Sequence, residues 1–303
     1  MVSPTFFRRL AVVTALFAYL QIALGGVVRV TGSGLGCPDW PLCHGRPYPP
    51  ANLPSIIEYT HRAVGSVTGL FVIATVVLAW MVFRARRPVV TWLASAALVA
   101  YGSEGLLGGI VVHYQLPSWV VLVHLSLAMI ILGLLVATAM TSMPASAGIR
   151  DASFRGTAAV TAGATYVLLL TGSTVVASGA DERCHTWPLC GSGLSPSFAG
   201  VDAFTMLHRG AVLLIGILIV YVAIQAMRRP QLRAAGVATM VVFLLQVAVG
   251  AGAALTDGPL FNGLHVAIAT LVWAGTLSIP LLALERVDRE PAFSRLTVDK
   301  GPA

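Results

Sequence analysis

Eight stretches of this chain stay apolar for long enough to cross a lipid bilayer, and that removes most folds from consideration. They run over residues 10–30, 63–83, 89–112, 118–140, 157–177, 206–227, 234–255 and 260–284. A helix rises about 1.5 Å per residue and a bilayer core is about 30 Å thick, so roughly 20 apolar residues suffice. Only 10% of the 303 residues are charged and 57% are hydrophobic, with a mean hydropathy of +0.84, outside the range of soluble domains. The expected fold class is an all-α integral membrane protein of eight transmembrane helices, with the lipid bilayer as its main environment. The first stretch is longer than the apolar region of a signal peptide and no A-x-A site follows it, so it is expected to be a retained helix.

Basic residues set the orientation, because short loops rich in Lys and Arg stay in the cytoplasm. Arg8 and Arg9, then Arg84, Arg86 and Arg87, then Arg150 and Arg155, then Arg228, Arg229 and Arg233, and finally the tail from Arg286 to Lys300 fall on one side of the eight spans. This predicts a multi-pass protein of the cell membrane with both termini cytoplasmic and the long loops, 31–60 and 178–205, outside. The net charge of +7 is accounted for by these loops, so no nucleic-acid partner is expected.

A shift of 147 residues aligns the two halves without a gap from the first span through His208. Leu24-Gly25-Gly26 meets Thr171-Gly172-Ser173, Cys37 meets Cys184, Trp40-Pro41-Leu42-Cys43 meets Trp187-Pro188-Leu189-Cys190, and His61-Arg62 meets His208-Arg209. Each repeat holds four spans, an even number, so the halves run the same way. Two tandem, parallel-related four-helix bundles are expected, over residues 1–145 and 146–303. A finer repeat lies within each half. The odd spans carry Gln21-x-x-Leu24-Gly25-Gly26, Glu104-x-x-Leu107-Gly108-Gly109, Leu168-x-x-Thr171-Gly172-Ser173 and Gln246-x-x-Val249-Gly250-Ala251, and each following span carries one histidine. Small residues at such places suit close helix packing; they also leave room for a flat cofactor, and the sequence does not separate the two uses.

Those histidines, His61, His124, His208 and His265, are the residues most suited to chemistry. One imidazole in a helix is ordinarily a structural hydrogen-bonding group, but four at equivalent places form two pairs. Zinc wants four protein ligands, or three and an open position, and only two recur per half. Haem brings four nitrogens of its own and needs two more. His44, His113 and His185 do not recur as a set and read as solvated loop residues. Each long loop also holds Cys-x5-Cys, and on the oxidising side of a membrane Cys37 with Cys43 and Cys184 with Cys190 are expected to form two disulfides. A structural staple is the favoured use; a redox part is harder to dismiss for Cys37 and Cys43.

The halves differ where it matters for chemistry. Glu58 stands one helical turn before His61, whereas its counterpart is Thr205, and Arg29 faces Val176. A carboxylate there suits simple pairing with Arg62; lost from the duplicate, it suits proton handling in the first half. Arg62 and Arg209 are cations on the side where positive charge is scarce and suit haem propionates or mark the interface. Glu104, inside the third span where Gln21 and Gln246 are the repeat partners, reads as a protonated hydrogen-bonding group before it reads as a proton relay.

Taken together, these residues resemble the haem A synthase family, in its bacterial type with paired cysteines in the outer loops. The resemblance covers nearly the whole chain and rests on Gly25-Gly26 followed by Thr31-Gly32-Ser33-Gly34, Glu58-x-x-His61-Arg62, His124, His208-Arg209, His265 and the four cysteines. It implies conversion of haem O into haem A for terminal oxidase assembly, by oxidising a porphyrin methyl to a formyl through two hydroxylations and a dehydration. It further implies that His61 and His124 hold the substrate iron with Glu58 as the catalytic acid or base, and that His208 and His265 hold a resident haem b. Arg29, Arg62 and Arg209 become propionate contacts, and the implied partners are haem O, its synthase (protohaem farnesyltransferase) and an electron acceptor. Two other classes stay open: a di-haem, cytochrome b-like membrane electron carrier, and a transporter.

Overall fold

The computed structural model describes residues 3–191, 196–256 and 258–287, and the last part of the basic tail named above lies outside them. Eight helices follow one another: α1 (Pro4–Val30), α2 (Leu53–Phe83), α3 (Pro88–His113), α4 (Ser118–Thr141), α5 (Ala152–Ala177), α6 (Asp202–Met227), α7 (Arg233–Thr256) and α8 (Pro259–Ala283). All eight are long and apolar enough to span a bilayer, and the described residues contain no strand beyond isolated bridges. The chain is an all-α, multi-pass membrane protein.

Four helices, α1, α2, α5 and α6, begin well before their apolar runs. Helix α2 starts ten residues earlier than expected, at Leu53, and α6 starts at Asp202, so the ends of both long loops are helical. At α1, α2 and α5 the reason is capping. The Asn52 side chain accepts from the Ser55 N–H at 3.0 Å and Pro54 pre-sets the first turn, so the start of α2 is fixed by local bonds and not by hydropathy. Asp151 does the same for α5, accepting from the Phe154 N–H at 2.9 Å. As a result Glu58, His61 and Arg62 share one continuous helix. His113, expected in a loop, is the last residue of α3.

Helices α1 to α4 close a ring of neighbours, as do α5 to α8, and the two rings meet where α8 packs on α1 and α4 and where α4 packs on α5. The central seam is apolar: Ala18, Ile22, Met129, Leu132 and Leu135 pack with Trp273 of α8. Its indole N–H donates to the Met129 carbonyl at 3.0 Å, and the Tyr166 hydroxyl donates to the Ser126 carbonyl at 3.2 Å, so both buried polar groups on the seam are bonded. Outward leucines such as Leu70, Leu106, Leu213 and Leu260 are left exposed, as a lipid-facing surface requires.

Arg8, Arg87, Arg229 and Arg286 gather at one end of the molecule. Arg8 donates to the Ser142 carbonyl at 2.6 Å, Arg87 to the Thr141 carbonyl at 3.0 Å, and Arg286 to the Pro144 carbonyl at 3.2 Å. Arg229 pairs with Asp151 at 2.7 Å. The two cysteine loops lie at the opposite end.

Candidate functional site

In every helical hairpin the odd helix supplies a glycine and a polar side chain to the histidine of the next helix. A β-carbon on Gly25 would stand 3.3 Å from Cε1 of His61, one on Gly108 3.4 Å from that of His124, one on Gly172 3.0 Å from that of His208, and one on Gly250 2.9 Å from that of His265. The first glycine of each small-residue pair therefore makes room for an imidazole edge, a use the sequence reading did not anticipate.

The polar partners follow the same plan. The Gln21 amide nitrogen lies 3.3 Å from Nε2 of His61, and that of Gln246 lies 3.0 Å from Nδ1 of His265. The Thr171 hydroxyl lies 2.9 Å from Nδ1 of His208. Glu104 Oε1 lies 3.0 Å from Nδ1 of His124, off the line of an ideal hydrogen bond. Three of these partners occupy the first position of the repeated motif; in α5 that position is Leu168, and Thr171 one turn on takes over. The sequence held the signal for Gln21, Glu104 and Gln246 but not for Thr171.

His61 and His124 stand on α2 and α4 of the first ring of helices, and His208 and His265 on α6 and α8 of the second. All four rings are half-buried. Among the described residues no group of three or more His, Cys, Asp and Glu side chains could hold a metal ion. Nδ1 of His61 and the Gln21 and Gln246 amide oxygens are buried without a hydrogen-bond partner. Paired imidazoles with glycine-lined backbone beside them and unspent polar atoms fit a group that brings its own equatorial nitrogens, as haem does. An amide rotated end for end would accept a ring N–H and leave the other ring nitrogen for iron.

The outer loops are bonded to the outer ends of α2 and α6. Cys37 is bonded to Cys43 and Cys184 to Cys190, so both expected disulfides are present. Glu58 is buried, and its two oxygens are taken: Oε2 accepts from the Cys37 N–H at 2.8 Å, and Oε1 accepts from the Arg62 guanidinium one turn away. Arg62 also donates to the carbonyls of Cys37, Asp39 and Leu42, at 2.7, 2.7 and 2.8 Å. It threads the first disulfide loop onto α2. Asp39 tightens that loop by accepting from the Gly45 and His44 N–H groups at 2.7 and 2.6 Å; these bonds, the Gly45 one foremost, hold its carboxyl below the usual range. Trp40 lies against Gly109 of α3, closing the loop over the first four helices.

The second cap is built differently. Thr205, the counterpart of Glu58, is buried with its hydroxyl unpartnered, and the Cys190 N–H reaches the Met206 sulfur at 3.2 Å. Arg209 donates to the Pro188 carbonyl at 3.2 Å. Arg29 pairs with Asp181 of the second long loop at 2.9 Å, tying the two halves together at their exposed outer ends. His44, His113 and His185 are exposed.

A multi-pass helical membrane protein with two histidine pairs under two disulfide-closed caps is the class these features define. The chain belongs to the COX15-CtaA family, described as cytochrome oxidase assembly protein, whose model matches residues 8–56 and 54–277. It is similar to a heme A synthase of Bacillus pumilus, 31% identical over 238 residues that cover 73% of this chain and 75% of the relative. The heme A synthase of Geobacillus kaustophilus is 29% identical over 287 residues, 90% of each chain. That of Macrococcus caseolyticus is 29% identical over 290 residues, 90% of this chain and 95% of the relative.

Proposed function

We propose that this chain is a haem A synthase in which residues 1–145 bind and oxidise haem O and residues 146–303 keep a resident haem b. The observation that carries the reading is a symmetric set of histidine cradles surrounded by asymmetric acids. Glu58 and Glu104 belong to the first half; Thr205 and Gln246 stand in their places in the second.

His61 and His124 are assigned to the iron of the substrate, and His208 and His265 to the iron of haem b. Haem iron supplies the oxidising and electron-transfer chemistry. The chain's own part is to present the substrate methyl, manage protons and keep water out. Glu58 is the group for protons, because it is a carboxylate one helical turn from His61 whose orientation is set by the Cys37 N–H and the Arg62 guanidinium. The disulfide loop shields this end of the pocket, with Trp40 seated on α3. Among the described residues Arg209 makes one bond to its loop, which leaves donors for a propionate; Arg62 is engaged by four acceptors and serves the loop first. The membrane is the cell membrane, with both termini and the arginine-rich end in the cytoplasm and the cysteine loops outside. A protohaem farnesyltransferase supplies haem O, and a membrane electron acceptor takes the electrons.

The test is chemical. The full chain is expressed with a source of haem O, under aerobic conditions with competent reductant and acceptor systems, and its haem is extracted. Haem A is the expected product. Both haems recovered unchanged would refute the synthase and leave the di-haem electron carrier; a purified chain without a Soret band would refute both.

A further inference from the structure

The polar partner of the four histidines is an amide or a hydroxyl three times and a carboxyl once. We propose that Glu104 is a positioning residue that fixes His124 with Nε2 toward the substrate iron and makes this ligand more electron-donating than the other three. The inference rests on the reading above, that His124 is an iron ligand.

Three observations converge on it. Glu104 Oε1 is 3.0 Å from Nδ1 of His124, and Gly108, one turn further along α3, lies under the same ring, so the imidazole is met on two edges by one helix. The remaining oxygen, Oε2, is buried with no hydrogen-bond partner among the described residues, so the carboxyl is committed to no neighbour other than His124. Tyr101, one turn before it on α3, has its hydroxyl committed to the Gly65 carbonyl at 2.6 Å.

A carboxylate also imposes what an amide does not. Gln21 and Gln246 can rotate and offer either a donor or an acceptor, and Thr171 is likewise ambivalent. Beside the imidazole Glu104 acts ionised, not as the protonated group expected from the sequence, and a carboxylate has no proton to offer, so it accepts only. It therefore holds the ring proton on Nδ1 of His124 and leaves the Nε2 lone pair for iron. Carboxylate–histidine–metal arrangements raise ligand basicity, and losing the outer partner commonly costs about 10–100-fold in metal affinity. A more basic ligand favours ferric over ferrous iron, so Glu104 biases the first haem toward its oxidised state.

The test loads the purified full chain with protohaem alone, so that no turnover enters, and measures the two midpoint potentials by spectroelectrochemistry. Glu104→Gln keeps shape and removes the charge. We expect the first-half potential to rise by a tenfold change in the ferrous-to-ferric binding ratio, about 59 mV for one electron, while the second-half potential stays fixed and reports an intact fold. Glu104→Ala should lose roughly 10–100-fold in first-site haem affinity, most of it restored in Glu104→Gln. Gln21→Glu, which adds a carboxyl to the other ligand of the pair, should lower the same potential. If both haems bind and neither Glu104→Gln nor Gln21→Glu moves the first potential, the inference is overturned while the functional reading stands. If the unaltered chain takes up haem only at His208 and His265, both fall.

Discussion

Alanine at the four cradle glycines gives a graded perturbation whose size is set by the structure. Carbon atoms in contact settle at about 3.5–4.0 Å. A β-carbon at Gly250 would meet His265 Cε1 at 2.9 Å and Nδ1 at 3.2 Å, so the ring must retreat by at least about 0.6 Å. At Gly172 the approach is 3.0 Å, at Gly25 3.3 Å and at Gly108 3.4 Å, where a shift of about 0.1 Å suffices. Ligand constellations tolerate about 0.5 Å of displacement, so Gly250→Ala exceeds the margin, Gly172→Ala reaches it, and Gly25→Ala and Gly108→Ala stay inside it. Alanine is meanwhile a better helix former than glycine by about 1 kcal/mol, so the helices themselves should gain and lost haem cannot be put down to unfolding. We expect Gly250→Ala and Gly172→Ala to lose about tenfold or more in haem affinity at the second-half site, with Gly108→Ala near the unaltered chain. Haem per chain and the low-spin absorption spectrum of purified protein are the assay. Equal losses at Gly108 and Gly250, or an unaltered spectrum and affinity in Gly250→Ala, would show that the glycines serve helix contact alone.

Glu58→Gln should retain haem in both halves yet form no haem A on extraction, since the amide keeps an acceptor for the Cys37 N–H while losing the proton-handling group; normal turnover would take Glu58 out of the mechanism. Glu58→Ala, by contrast, strands that buried N–H and should also cost about 1–3 kcal/mol in stability, read as a fall in denaturation midpoint. The first disulfide loop should open in acid. Asp39 is held below its ordinary value by the Gly45 and His44 N–H groups, so its contribution is complete above the unfolded value of about 3.9 and is lost as pH falls through the folded one. Phosphine reduction of Cys37–Cys43 should therefore quicken below about pH 4, and in Asp39→Asn it should be fast and flat with pH. Arg29→Ala should change thermal stability by no more than about 1 kcal/mol, because its pairing with Asp181 is part-exposed; a larger loss, recovered on adding haem, would return Arg29 to the propionates.

Much of this was legible in the sequence because bilayer thickness is a hard constraint. An apolar run of sufficient length has one use, and all eight runs are helices. Helix starts were less legible, since Asn52 and Pro54 fix the beginning of α2 through two local effects that hydropathy does not register. The pairing of Glu104, Gln21 and Gln246 with the next histidine was latent in the repeated motif, for a fixed step from glycine to polar residue keeps both on one helix face. Thr171 broke the pattern by acting from one turn further along. The bonds from Glu58 to Cys37 and from Arg29 to Asp181 could not be read at all: they join residues 21 and 152 positions apart through loops whose folding depends on their own turns.

The second cap bears on why Glu58 is an acid. If its purpose were to anchor the disulfide loop, the duplicate loop should need one too, yet Cys184–Cys190 is seated on α6 with Thr205 in that place, a sulfur accepting the Cys190 N–H, and a single bond from Arg209 to Pro188. Anchoring is thus achieved without a buried carboxylate, whose desolvation is costly even when paired. The cost is carried only in the half assigned to haem O. There the Cys37 N–H and Arg62 hold the acid in one orientation, one turn from a histidine and under a closed loop. That is an arrangement suited to moving a proton at a fixed point, and on the role proposed for Glu58 it ties the first disulfide to the chemistry through geometry: the loop it closes supplies the N–H that aims Glu58.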